Sequence, residues 1–121
     1  MHTVSPSHSF KPLRGVRILS LALNVPGPMA MARLVRMGAR CAKIEPPAGD
    51  PMRHYNAPAY DAMHTGIKVS QADLRTEAGQ KLLDRQLART DVLLTSFRPS
   101  GLAKLGLAWK SIHKRYPALS Q

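Results

Sequence analysis

The stretch from residue 15 to residue 45 constrains the fold more than any other part of this chain. It contains an apolar run at 16–23, a turn with the sequence NVPGP, a helical pattern at 29–37 that ends at Gly38, and a second apolar run at 41–44. Two strand-like runs that flank one helix predict a βαβ unit, in which the strands are parallel and the crossover is right-handed. Ligands of such sheets bind beyond the carboxyl ends of the strands. The NVPGP turn and the loop EPPAGDPMR are therefore the first candidate site.

The rest of the chain continues the alternation of strands and helices. Residues 45–62 contain four prolines and predict a long surface loop without regular structure. A weak strand is predicted at 67–72, a helix at 77–89 with Thr76 as its N-cap, and a buried strand at 91–95. Two short helices, at 102–107 and 108–115, precede residues that lead toward another strand.

The predicted fold class is α/β, a Rossmann-like parallel sheet with flanking helices. It is expected to cover residues 12–121 and to follow a disordered N-terminal tail at 1–11, which is rich in Ser, His and Pro. Because the chain stops where a further strand is expected, the sheet is predicted to be an incomplete portion of a larger fold.

The chain carries a large excess of positive charge. Its 18 Lys and Arg residues against 7 Asp and Glu residues give a formal net charge of +11. This excess suits a polyanionic partner, but also a solvated basic surface, because the basic residues are spread along the whole chain. No helix-turn-helix signature, RNP-type aromatic motif or zinc spacing is present, which disfavours nucleic acid as the partner.

Other side chains exclude several classes of site. Cys41 is the one cysteine, so there is no internal disulfide, and its apolar neighbours favour a small buried hydrophobe over a nucleophile. The five histidines show no metal-ligand spacing. No apolar run approaches the roughly 18 residues that span a membrane, and the N-terminus has no signal-peptide core. A cytoplasmic protein without membrane contact is predicted.

Two kinds of loop could bind phosphate. Pro26-Gly27-Pro28 opens a helix, where free N–H groups attract phosphate or an oxyanion, although a plain βα turn explains the spacing as well. No GxGxxG or P-loop pattern is present. Arg53 and Arg98 each follow a strand, so both guanidinium groups could lie on one rim and contact phosphate. Solvated loop arginines are the alternative.

A longer set of motifs resembles a known family. The segment PLRGVRILSLALNVPGPMAMARLVRMGARCAKIEPPAGDPMR is similar to the opening of the family III CoA-transferases, with their PLxGVRVL strand, PGP turn, LGAxVxKIE and PPxGDPxR. The segment DLRTEAGQKLLDRQLARTDVLLTSFRPSGLAKLGL resembles the family's DLKTxxG and ADVLxENFRPGxxxxLGL patterns. The resemblance covers residues 12–119 and includes the related α-methylacyl-CoA racemases.

The resemblance implies a coenzyme A-binding segment. Family members bind CoA on an α/β domain and form interlocked homodimers; acyl-CoA and a carboxylic acid are the substrates, and no cofactor is permanently bound. In the transferases an aspartate attacks the thioester, whereas in the racemases an acid–base pair moves the α-proton. The positions expected to contact CoA are Val25, Pro26, Gly27, Lys68, Ser96, Phe97, Arg98 and Lys104.

Departures from the family pattern bear on activity. The family's NRGKRS segment keeps only Gly66 and a basic residue at Lys68, and Thr95-Ser96 replaces Glu-Asn. The family's catalytic residues lie downstream of residue 121, so no catalytic residue can be named. The chain is expected to be a truncated N-terminal part, inactive alone. A racemase-like fragment and a non-catalytic CoA-binding remnant stay open as alternatives.

Overall fold

The structure is a computed structural model that describes residues 11–23, 26–97 and 99–121. These ranges hold four strands and six helices. In chain order they are β1 (Arg17–Ser20), α1 (Pro26–Arg36), β2 (Arg40–Glu45), α2 (Met52–Tyr55), α3 (Ala57–Met63), β3 (Ile67–Gln71), α4 (Glu77–Leu87), β4 (Val92–Leu94), α5 (Pro99–Lys104) and α6 (Trp109–Arg115).

The four strands form one parallel sheet in the order β3-β2-β1-β4. Ile18 of β1 is in register with Cys41 on one side and Val92 on the other. This order is that of the first half of a doubly wound sheet, in which helices cover both faces. The predicted α/β fold with a Rossmann-like parallel sheet is confirmed.

Both faces of the sheet carry a hydrophobic cluster. On one face, Ile18 and Cys41 pack with Met31 of α1. On the other face, Leu19 packs with Leu83 and Leu87 of α4. Because successive residues of a strand point to opposite faces, the apolar run of β1 supplies both clusters, as a strand covered on both sides must. Burial raises the pKa of the Cys41 thiol to about 11, as expected for a structural cysteine.

Local signals set the ends of two helices as predicted. The Thr76 side chain accepts a hydrogen bond of 3.0 Å from the N–H of Gly79, which caps α4. Gly38 follows α1 with a φ of 100°, a left-handed conformation that suits glycine. At the other end of the chain, Ser120 forms an isolated parallel bridge with Val92, next to β4.

The prediction of an irregular loop at 45–62 is wrong, because this segment contains α2 and α3. Pro51 lies just before α2 and Pro58 lies in the first turn of α3. Proline is tolerated there, since the first amides of a helix have no intrahelical partner. Asn56 adds an N-cap, because its side-chain oxygen accepts a hydrogen bond of 3.3 Å from the N–H of Ala59.

Other predictions concern the chain ends and the membrane. The tail predicted at 1–11 lies outside the described residues except for Lys11, whose ammonium group donates to the carbonyl of Arg36 over 3.3 Å. Among the helices of the described ranges, none combines the length and the apolar character needed to cross a bilayer.

A candidate ligand cleft at the carboxyl edge of the sheet

The segments that follow the four strands meet in one cleft of about 210 Å³. Each strand therefore contributes to it through its carboxyl end, the edge at which parallel sheets bind ligands. The lining residues are Leu21 and Leu23 after β1, Ile44 to Pro47 at the end of β2, Ala72 to Arg75 after β3, Phe97 after β4, and Leu105 after α5.

The floor and walls of this cleft are mostly apolar. Leu21 and Ile44 are buried beneath it, and Pro46 and Pro47 form a rigid wall. Phe97 keeps 37% of its surface exposed, so a flat aromatic face is available to a ligand. An apolar concavity with few polar groups suits the flat or aliphatic part of a small molecule.

The polar groups of the cleft are Arg75, Asp73 and Glu45. The Arg75 side chain is 82% exposed, and its Nε and Nη2 donate to the Asp73 carboxylate over 3.0 and 3.2 Å. These hydrogen bonds, together with one from the Arg75 backbone N–H, hold the pKa of Asp73 below its usual value. Since a guanidinium has five N–H groups, Arg75 retains donors for a second anion.

Close packing joins the loops around the cleft. The Ser96 hydroxyl accepts a hydrogen bond of 3.5 Å from the N–H of Leu23, which links the loop after β4 to the loop after β1. At the start of α1, a Cβ on Gly27 would lie 2.3 Å from the Cβ of Ala22. Only glycine permits this approach, so Gly27 lets the first turn of α1 rest directly on the exit of β1.

A buried charged network supports the wall of the cleft. Lys43 and Glu45 of β2 and Asp50 of the following loop are at most 1% exposed. The Lys43 ammonium lies 2.7 Å from Asp50 Oδ2 and 3.2 Å from Glu45 Oε2. Tyr60 of α3 donates its hydroxyl to Glu45 Oε2 over 2.5 Å, and Arg53 reaches Glu45 Oε1 over 3.2 Å. The network therefore ties residues 45–60 to the end of β2.

His64 completes this network as a neutral imidazole. Its Nε2 lies 2.8 Å from Lys43 Nζ and its Nδ1 lies 2.7 Å from the carbonyl oxygen of Tyr60. Because an ammonium group can only donate, Nε2 accepts and Nδ1 carries the proton. Burial, followed by the charge of Lys43, lowers the pKa of His64, while the bond to the Tyr60 carbonyl acts in the opposite direction.

The same residues include a set of possible metal ligands, and Lys43 occupies their centre. Atoms of Glu45, Asp50 and His64 lie within 4.8 Å of one another. The Lys43 ammonium contacts all three, at 2.7 to 3.2 Å. A positive charge already stands where a metal ion would bind. Sequence reasoning missed this cluster because its possible metal ligands are separated by five to nineteen positions and meet only in the fold.

The structure brings only some of the predicted CoA residues to the cleft. Phe97 lines it, Ser96 and Gly27 shape its loops, and Lys104 is an exposed residue beside the lining Leu105. Pro26 begins α1. Val25 and Arg98 lie outside the described residues.

Two other predicted cations lie away from the cleft lining. Lys68 lines a separate cavity at the amino edge of the sheet, next to Arg17 and Arg40. The Arg53 guanidinium contacts Glu45 and Tyr60.

Sequence reasoning missed Arg75 as a residue of the cleft. It lies between β3 and α4, just before the predicted N-cap Thr76. The rule that ligands bind after parallel strands, applied to the weak third strand as well as to the other strands, would have indicated it.

Comparison with known proteins identifies relatives over nearly the whole chain. The family described as CoA-transferase family III matches residues 13–119. Cinnamoyl-CoA:phenyllactate CoA-transferase of Clostridium sporogenes is 36% identical over 117 residues, which cover 87% of this chain. A crystal structure of a hypothetical protein from Mycobacterium tuberculosis, 37% identical, superposes with a TM-score of 0.81 over 90% of this chain. A CAIB/BAIF family protein from Brucella suis, 33% identical, reaches a TM-score of 0.81 over 92%.

These relatives are much longer than the matched segment. The chain spans 28% of the length of the Clostridium transferase and 32% of each of the two solved structures.

Proposed function

The chain belongs to CoA-transferase family III, and from that premise we propose that its cleft binds coenzyme A during the transfer of CoA between an acyl-CoA and a carboxylic acid. In this proposal CoA is a substrate and not a resident cofactor.

One observation supports the proposal most strongly: a single cleft receives the segments after all four strands and combines an apolar floor with an exposed cation, Arg75. Coenzyme A has the same combination of parts, a flat heterocycle and an aliphatic arm next to phosphates. We assign the apolar walls and Phe97 to the neutral parts of the molecule. We assign Arg75 to a phosphate, because a guanidinium matches phosphate geometry with paired N–H donors.

The remaining predicted CoA residues enter the proposal to different degrees. Gly27 and Ser96 shape the loops of the cleft, and Lys104 supplies a nearby positive charge. Val25, Pro26 and Arg98 remain predictions from the resemblance. Lys68 is left out because it lines the cavity at the other edge of the sheet.

Carboxylates of the described cleft are already engaged by cations. Asp73 is paired with Arg75, and Glu45 is buried among Lys43, Arg53 and Tyr60. In family III transfer, a carboxylate oxygen bonds to the thioester carbonyl carbon, the C–S bond breaks and CoA thiolate leaves. We propose that this chain supplies binding and not the nucleophile, so it should not transfer CoA from succinyl-CoA to carboxylic acids when assayed alone. We also propose homodimers for the whole protein, and the cytoplasm as its compartment.

Calorimetric titration with CoA and with pantetheine, which lacks the nucleotide and its phosphates, tests the proposal. Arg75→Gln should weaken CoA about tenfold, since it removes one charge-assisted contact, and leave pantetheine unchanged. Phe97→Ala should weaken the binding of CoA alone if the ring contacts the nucleotide base, and the binding of both CoA and pantetheine if the ring contacts the pantetheine arm. Lys81→Gln is the matched control, because Lys81 is an exposed cation on α4, paired with Glu77 at 3.5 Å. Equal CoA affinity for the Arg75 variant, the Phe97 variant and the control would exclude this cleft as the binding site.

A further inference from the structure

We propose a second anion site at the amino edge of the sheet, formed by Arg17, Arg40, Lys68 and Arg89, for a compact oxyanion of the phosphate class. We call these four residues the basic pocket. They line a cavity of about 360 Å³, together with Gln86 and Thr90. The inference is independent of the CoA cleft, which lies at the opposite ends of the same strands.

Strand register brings three of the four cations to one face. Arg17 of β1 lies directly opposite Arg40 of β2, and Lys68 of β3 lies opposite Ala42. Because Ala42 is two positions after Arg40, their side chains project from the same face, and so does Lys68. Arg89, just after α4, lines the cavity from the helix layer. The four cations thus come from four different segments and converge on one concavity.

Positive charge in the basic pocket is only partly balanced by salt bridges among the described residues. Like charges directly opposite one another on neighbouring strands destabilise a sheet. Asp91 offsets one charge, since its Oδ2 lies 3.4 Å from Arg17 Nε. Within the described residues, the salt bridges found do not involve Arg40, Lys68 or Arg89. An anion in the cavity would relieve the repulsion that remains.

The arrangement favours a compact anion over a polymer. Nucleic acid is contacted by cations spread along a stripe, whereas these four surround one cavity. Guanidinium groups bind phosphate with paired donors, and Lys68 adds a point charge. A purely structural alternative exists for Arg89, because a cation after α4 is also stabilised by the negative end of the helix dipole.

Titration of the ¹⁵N-labelled chain with inorganic phosphate and with glycerol 3-phosphate, at constant ionic strength with chloride, tests the proposal. We expect amide shifts at Arg17, Lys68 and Arg89, and at Gly66, which also lines the cavity, and not at Leu23 or Phe97. Lys68→Gln should weaken binding at least tenfold, whereas Lys81→Gln should not. Tighter binding of inorganic phosphate would identify a free ion as the preferred ligand, and tighter binding of glycerol 3-phosphate would identify a phosphoester. The Arg75→Gln variant should bind phosphate as tightly as the unmodified chain. A negative result for the basic pocket can therefore be told apart from a negative result for the CoA cleft.

Thermal unfolding gives a second readout. At low salt without phosphate, Arg40→Gln should raise the Tm, because it removes one of the repelling charges, and phosphate should then stabilise the variant much less than the unmodified chain. Three results would overturn the proposal: shifts scattered over exposed cations throughout the chain, equal weakening by Lys81→Gln, or a lower Tm for Arg40→Gln. The first two would indicate diffuse charge attraction, and the third a structural role.

Discussion

Replacing Lys43 by methionine should strongly destabilise the fold, because it removes a buried cation that contacts two buried carboxylates, Glu45 and Asp50. At an effective dielectric constant of about 20, the distances of 2.7 and 3.2 Å correspond to gross attractions of about 6 and about 5 kcal/mol. The desolvation of three charged groups offsets much of this gain, and removal of one partner from a buried ion pair typically costs about 3–5 kcal/mol. Since the free energy of unfolding of a small domain is about 5–15 kcal/mol, Lys43→Met should remove a large part of the stability.

Urea unfolding followed by circular dichroism measures this loss. The control is Lys81→Met, which removes an exposed pair on a helix and should cost no more than about 0.5 kcal/mol. The loss caused by Lys43→Met should shrink between pH 7.5 and pH 5, because a buried carboxylate that has lost a neighbouring cation has a raised pKa and takes up a proton more readily. A destabilisation caused only by the smaller volume of the new side chain would not depend on pH. A loss below about 1 kcal/mol, or one equal at the two pH values, would refute the electrostatic reasoning.

Two further predictions concern His64 and Gly27. Because the pKa of His64 is lowered in the fold, its contribution to stability is intact above about pH 6.5 and declines as the pH falls below that value. The free energy of unfolding should therefore decrease from pH 7.5 to pH 5, with a smaller slope in His64→Gln, and equal slopes would contradict the neutral imidazole. Gly27→Ala should lower stability by about 1–3 kcal/mol, since its Cβ would meet that of Ala22 at 2.3 Å. Gly101→Ala is the matched control, because its nearest neighbour is 3.8 Å away and α5 should gain from alanine; equal Tm values would refute the packing argument.

The alternation of elements was predictable because its signals are local. The apolar runs around Ile18, Ile44 and Leu93 became strands, although each strand is two to four residues shorter or longer than predicted. The Thr76 cap and the Gly38 stop acted where they were expected. The proline-rich segment after Glu45 was misjudged, because proline within a helix and proline at its first turn look alike until the start of the helix is known.

The candidate site was predictable only in part. The rule for parallel strands directed attention to the loops after β1, β2 and β4, and residues of these loops, Phe97 among them, line the cleft. The rule did not indicate which of the loop cations would line the cleft, as Arg75 does. A residue's distance from a site depends on the exact end of each strand, and a shift of a few residues along β3 carries a side chain from one edge of the sheet to the other.

The sequence by itself determined that this protein is an α/β domain of parallel strands and to which family it belongs, because periodicity, caps and motif order are properties of neighbouring residues. Only the tertiary structure decided that Lys43 is buried among Glu45, Asp50 and His64, that Arg75 and Phe97 share a cleft, and that Lys68 stands with Arg17 and Arg40 at the opposite edge. These contacts depend on strand order and register, which bring together residues far apart in the chain, and no local pattern specifies the distances between them.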